Sequence, residues 1–298
     1  MSLMVIWLNE LIIFDRKILK SYVNINFQQE YLIIFLISLI LSTISLSTTV
    51  FIFAVDILCF FPSSFKSVSA NICYCAPIMA TNMFFLKICA MLLIMKQRFK
   101  WINHGIENLK HMSDEKSAFY YAIHTFDKNF QVMCLQEQQI HALEELRIKH
   151  YKIHCLTEEI NSMFAFPILF SFIQLVLGFQ NYSLYFIRVP STMFAQKTTK
   201  LYSFFGKGII AIYTGQLVAI SYICSWLNYE AHRTGSILER FKHISNEIDE
   251  YIRFFLHQLL HTEVNITACN LFTINASLIF SVASAFTSYL VLCVQLHI

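Results

Sequence analysis

Charge is what this sequence has least of. Lys, Arg, Asp and Glu make up 14% of its 298 residues, against roughly 25% in a typical soluble domain. With 56% hydrophobic residues and a mean hydropathy of +0.55, a soluble monomer is excluded. The composition predicts a polytopic membrane protein, with 29 Phe and 14 Tyr suited to lipid-facing and interfacial surfaces. A formal charge of +3 leaves no basic field, so nucleic acid is not an expected partner. Met1 is followed by no basic region and cleavage site, and no signal peptide is expected. The nine cysteines contain no CxxC pair and read as isolated thiols packed as small apolar groups. Cys59, Cys73 and Cys75 alone fall near a non-cytosolic loop.

Catalytic patterns are also missing. Six glycines provide no phosphate-cradling loop. His257-Gln-Leu-Leu-His261 has the i, i+4 histidines of a zinc protease, but Gln258 stands where a Glu must act as base. His150 and His154 share the spacing, and two histidines are an incomplete zinc site. We therefore expect no enzyme, no catalytic residue, no metal and no cofactor.

What the chain has is long apolar runs. A helical span needs about 20 apolar residues, and 31–55, 72–95, 162–186, 206–227 and 271–296 qualify. Residues 3–14 are apolar but too short. Lys and Arg set the orientation. Fifteen lie in 15–30, 98–161 and 228–270, against four in 56–71 and 187–205. The first three segments are thus cytosolic and the C-terminus is outside. The sequon at Asn181 falls on the outer side and is the expected glycosylation site. Lys87, inside the second run, either snorkels, pairs with another span or marks a shorter span.

The cytosolic segments carry helical apolar stripes. These are Phe99, Ile102, Ile106 and Leu109; Ile140, Leu143, Leu146, Ile153, Leu156 and Ile160; and Ile248, Ile252, Phe255 and Leu259. Together they predict a helical platform built from extended membrane helices. Residues 111–135 lack a clear period and read as a mobile link.

The last run holds a polar stripe. At 100° per residue, Asn270, Thr273, Ser277, Ser281, Ser284, Ser288 and Gln295 fall within about 80° of arc, with Val291 and Leu292 on the same face. Two readings compete. Small hydroxyl residues let membrane helices pack closely. Alternatively the stripe lines a water-filled pore and Val291 and Leu292 gate it by dewetting, which requires several copies around an axis.

A G-protein-coupled receptor would place the C-terminus inside, and its Asp-Arg-Tyr and Asn-Pro-x-x-Tyr signatures are absent. A transporter would want intramembrane acidic or His clusters or broken helices; only Lys87 and the marginal Asp56 are there.

At its end the chain reads Ser288-Tyr289-Leu-Val-Leu-Cys-Val-Gln295-Leu296. This resembles the signature of the insect gustatory receptors, relatives of the insect odorant receptors: Thr-Tyr, five hydrophobic residues, then Gln-Phe. Tyr289 and Gln295 match, Ser288 replaces Thr and Leu296 replaces Phe. The run HQLLHTEVNITACNLFTINASLIFSVASAFTSYL also looks like the family's approach to its last helix, with Asn270 where Gly is usual. LRIKHYKIHCLTEEINSMFAFPILFSF is similar to the approach to its fifth span.

The resemblance implies an all-α, seven-span fold with the N-terminus inside and the C-terminus outside, N-terminally truncated here. Residues 1–14 would be a remnant of the second span, 15–97 the third and fourth spans, and 98–161 a cytosolic helical anchor. Residues 162–227 would be the fifth and sixth spans, 228–270 a cytosolic helical region and 271–298 the last span. It further implies a multi-pass receptor of the plasma membrane. The receptor would be a tastant-gated, non-selective cation channel in lipid, assembled as a homo- or hetero-tetramer. Its pore would be lined by Ser277, Ser281, Ser284, Ser288 and Gln295. The family's ligand pocket lies among the spans in the outer half. Gln174, Tyr182, Tyr213, Thr214 and Gln216 are the candidates, because polar and aromatic groups in spans need partners.

Overall fold

The computed structural model describes residues 3–15, 65–122, 128–188, 197–240 and 246–296, with single positions at 32, 36 and 43. Its helices are α1 (Leu3–Phe14), α2 (Phe65–Ala122), α3 (Lys128–Arg188), α4 (Lys197–Glu239), α5 (Asn246–His261) and α6 (Ala276–Leu296). Between α5 and α6 lies a two-stranded hairpin, β1 (Thr267–Ala268) and β2 (Phe272–Thr273). Apart from positions 32, 36 and 43, the span expected at 31–55, with Asp56 and Cys59 beyond it, lies outside the described residues. Among the described residues, three helices are long enough to cross a membrane and each contains a sufficiently apolar window, namely those covering Ala80–His111, Glu137–Gln180 and Ile210–Glu239. Met4–Phe14 and Ala276–Leu292 are shorter apolar helices.

The helices outrun the apolar runs. α2 continues to Ala122 and α3 starts at Lys128, so the link expected over 111–135 is mostly helical. Its sequence has no Pro or Gly to stop a helix, and helix propensity suffices without a clean apolar stripe.

The chain divides into two compact units. The first takes Met1–Phe27, Leu92–Met163 and Trp226–Asn265. Its core is built from the apolar stripes. Phe99, Ile102 and Ile106 of α2, Leu143, Leu146, Ile153, Leu156 and Ile160 of α3, and Ile248, Ile252 and Phe255 of α5 are buried. Trp7, Leu11 and Phe14 of α1 join them. The Trp7 indole donates to the Leu156 carbonyl at 3.0 Å. Lys152 reaches Glu10 at 2.7 Å. Between α2 and α4, buried Asn103 donates to the Glu230 carbonyl (2.8 Å) and accepts from Thr234 Oγ1 (2.7 Å).

His150 belongs to this core, in the charged half of α3 outside its apolar run 162–186. Its ring stands edge-on to Phe99 at 5.0 Å and Phe255 at 5.9 Å. Burial, reinforced by the neighbouring His154, pushes its pKa down to about 3. Above the unfolded value of about 6.5 both states are neutral and the group has no effect. Below it the unfolded chain takes up a proton that the folded chain refuses, so stability falls progressively toward pH 3. The expected loss is about 1 kcal/mol by roughly pH 5.5. Unfolding midpoints across pH should show it, and His150→Leu should flatten the slope. An unchanged slope in that variant would place the acid sensitivity elsewhere.

His257 and His261 are exposed with rings 4.7 Å apart, and Gln258 binds Arg147 of α3.

The second unit takes Gln28–Met91, Phe164–Ser225 and Ile266–Ile298. Here one helix face exposes apolar side chains. On α3, Phe166, Phe170, Ile173 and Leu177 recur every three or four residues and all are exposed. A solvent-facing helix is polar on that side, whereas a lipid-facing one is not. Lys87 lies on the exposed side of α2, its ammonium 6.0 Å from the Phe84 ring.

Candidate functional site

The site is built around the last helix and the hairpin that launches it. Thr267 pairs with Thr273 and Ala268 with Phe272. Cys269 (φ 51°) and Asn270 (φ 57°) form the tip in left-handed conformation, and Leu271 N–H closes the turn onto the Ala268 carbonyl at 3.0 Å. Asn tolerates this backbone better than other side-chain-bearing residues, which explains how it stands where Gly is usual. Ile274 N–H donates to the Ile266 carbonyl at 2.8 Å. Asn275 caps α6: its Oδ1 accepts from the Leu278 amide (3.2 Å) and the Ser277 hydroxyl (2.6 Å). The Ala276 amide donates to Ser225 Oγ of α4 at 2.8 Å.

This start corrects the expected stripe at its lower end. Asn270 and Thr273 lie in the hairpin, so the helical register that placed them with the serines does not reach them. From Ala276 onward the helix holds. Ser277, Ser281, Ser284, Ser288 and Gln295 are all exposed, as are Val291 and Leu292. Leu278, Ile279, Val282, Phe286, Tyr289 and Leu290 are half-buried on the opposite side. Phe286 meets Phe179 of α3 edge-on, ring centres 3.8 Å apart. Several hydroxyls fold back on the helix: Ser281 Oγ to the Ser277 carbonyl (3.3 Å), Thr287 Oγ1 to Ala283 (2.8 Å) and Ser288 Oγ to Ser284 (3.0 Å). Such donors are satisfied in lipid and against a neighbouring helix, and can still turn to water.

Beside the base of α6 lies a cavity of about 40 Å³. Four helices and the hairpin wall it: Thr81, Phe85 and Ile88 of α2; Ile168, Ser171, Phe172, Gln174 and Leu175 of α3; Tyr213, Gln216, Leu217 and Ile220 of α4; then Ile274 and Leu278. The structure therefore brings three of the five pocket candidates, Gln174, Tyr213 and Gln216, to one cavity. Thr214 is elsewhere: one residue on from Tyr213 it turns away, exposed, and donates to the Ile210 carbonyl at 2.8 Å. Tyr182 and Asn181 lie on the helical backbone near the end of α3, their side chains outside the described residues. Sequence reasoning missed Asn82, whose Oδ1 accepts from Gln216 Nε2 at 2.7 Å. The apolar wall was likewise indistinguishable from ordinary span packing. Gly178, one turn beyond Gln174, lets α3 approach the Tyr213 ring closely.

Apolar helices of membrane-crossing length and an exposed lipid-type face define an all-α, polytopic membrane protein. The chain belongs to the 7tm chemosensory receptor family, whose model matches residues 4–298. It is similar to putative gustatory receptor 28b of Drosophila melanogaster, 26% identical over 225 residues, covering 68% of this chain and 45% of that one. It is also similar to gustatory and pheromone receptor 32a of the same fly, 29% identical over 137 residues, covering 41% of this chain and 28% of that one. The chain thus matches less than half the length of each. Among solved structures it resembles the insect olfactory receptor OR5 of Machilis hrabei in complex with eugenol, with a TM-score of 0.58 at 14% identity. That match covers 90% of this chain and 69% of the receptor. OR5 without ligand matches equally well, at 0.58 and 13%. At such identities the likeness is one of fold.

Proposed function

We propose that the chain is a gustatory-type receptor of the plasma membrane that conducts cations when a small molecule binds. Family membership supports the receptor class. The observation that carries the channel reading is the division of α6, with packed apolar residues on one side and Ser277, Ser281, Ser284, Ser288 and Gln295 exposed on the other. One helix cannot enclose a pore, so four copies of this chain, or of it and related receptors, would turn these stripes toward a common axis. Val291 and Leu292 interrupt the stripe near its outer end, where an apolar ring stops ions by dewetting. The charge distribution of the loops puts the C-terminus outside and the Asn181 sequon on the outer face, as a glycan site. The cavity holding Gln174, Tyr213 and Gln216 is the ligand site. On this topology it lies toward the cytosolic half, since it touches α6 only at Leu278 and the hairpin before it at Ile274. The resemblance alone would have put it in the outer half.

Patch-clamp recording from cells expressing the chain with a tastant panel tests this. In a channel lined by α6, Gln295→Glu places a ring of carboxylates in the pore. It should shift the reversal potential toward divalent cations, as acidic rings do. Currents of unchanged selectivity would remove Gln295 from the pore. A C-terminal tag detected only from the cytosol would overturn the topology and favour a G-protein-coupled reading.

A further inference from the structure

We infer that the cavity at the base of α6 takes a small, largely apolar molecule carrying a single hydroxyl, a phenol or a simple alcohol, and rejects sugars. This rests on the reading of the cavity as the ligand site and adds the chemistry that site selects.

The walls decide it. The nine apolar side chains that line the cavity, Phe85, Phe172 and Leu278 among them, offer no hydrogen bond. The polar members are mostly spoken for. Ser171 Oγ donates to the Pro167 carbonyl at 2.7 Å. Gln216 Nε2 donates to Asn82, and Thr81 and Tyr213 are engaged within the protein. What remains is Gln174, whose Oε1 is buried without a hydrogen-bond partner. A buried acceptor left unpaired in apolar surroundings carries a standing penalty. A ligand hydroxyl relieves it, and relieves it whichever way the amide is turned, because a hydroxyl both donates and accepts. A second hydroxyl gains nothing from these walls and loses its water. A sugar, with hydroxyls around its ring, would strand most of them.

Size adds a consequence. At about 40 Å³ the cavity is well below the roughly 150 Å³ that accommodates benzene in an engineered apolar site. A ring-sized ligand therefore binds an expanded arrangement better than the one described here, and so shifts the population toward it. One expandable wall is the end of the hairpin and the first turn of α6, through Ile274 and Leu278. Occupancy of the cavity and displacement of α6 are then one event.

The test is thermal unfolding of the purified full-length chain in lipid nanodiscs, titrated with phenol, toluene or glucose at matched concentrations in the membrane or buffer. Ligands of the folded state raise the midpoint. Phenol should half-saturate at about tenfold lower concentration than toluene, the worth of one hydrogen bond, and glucose should shift nothing. Gln174→Leu should abolish the preference for phenol while toluene binds as before. Ser171→Leu, which fills the cavity, should weaken both aromatics at least tenfold; if it fails to fold, Ile168→Phe fills the cavity from the same helix. Equal binding of phenol and toluene to the native chain overturns the inference. A glucose shift that the filling variant removes overturns the ligand class but keeps the site. Phenol binding indifferent to filling overturns the site, and the inference falls with it.

Discussion

Asp15→Ala should destabilise the chain by about 3–5 kcal/mol, the usual effect of stranding one partner of a buried ion pair. Arg98 Nη2 lies 2.7 Å from Asp15 Oδ2, with the two side chains 0% and 3% exposed. The guanidinium also sits 4.1 Å from the Trp101 ring centre. Around the pair are the apolar residues that α1 contributes, with Phe14 next in sequence to Asp15 and fully buried. Removing Asp15 leaves a guanidinium that cannot shed its charge in a place water does not reach. Removing both charges is a different experiment. Asp15→Leu with Arg98→Met puts apolar groups of similar size in the gap, and most of the loss should be recovered. Denaturant titration in mixed micelles measures both. A single variant within 1 kcal/mol of the native chain would mean the carboxylate reaches water and α1 is held by its other contacts, Trp7, Leu11, Phe14 and Glu10.

That pair was not legible in the sequence, and the reason is general. Residues 3–14 read as a span remnant from their apolarity, and Arg98 as one topogenic charge among others. Their meeting joins positions 83 apart in the chain, which no periodicity encodes. The same holds for Asn103, whose partners Glu230 and Thr234 lie 127 and 131 positions away. By contrast, Ile248, Ile252 and Phe255 were recoverable because burial on a helix repeats with the helix. The polar stripe shows both sides. Arithmetic at 100° per residue placed Ser277 through Gln295 on one face, since α6 is an unbroken helix from Ala276. It failed at Asn270 and Thr273 because two left-handed residues at the hairpin tip reset the direction of the chain. The Asn in place of Gly at 270 was the visible sign of that turn.

The second large effect is expected at Gly178. A Cβ there would lie 2.6 Å from Tyr213 Cε2 and 3.2 Å from Cζ, where carbon atoms normally keep about 3.5–4.0 Å. In Gly178→Ala the ring must retreat by about 1 Å. Leu175 and Ile210 pack against it, whereas the cavity it lines gives it room. The ring therefore moves into a space of only about 40 Å³ and closes it. Helix propensity favours Ala over Gly by up to about 1 kcal/mol, which offsets part of the crowding, so the variant should fold. The concentration of ligand giving half-maximal current should rise at least tenfold, with the unliganded chain still reaching the membrane. Adding Tyr213→Leu to Gly178→Ala removes the ring that closed the space and should return sensitivity to apolar ligands. If Gly178→Ala answers ligand as the native chain does, the Tyr213 ring does not bound the ligand site, and the search moves outward along α3 toward Tyr182.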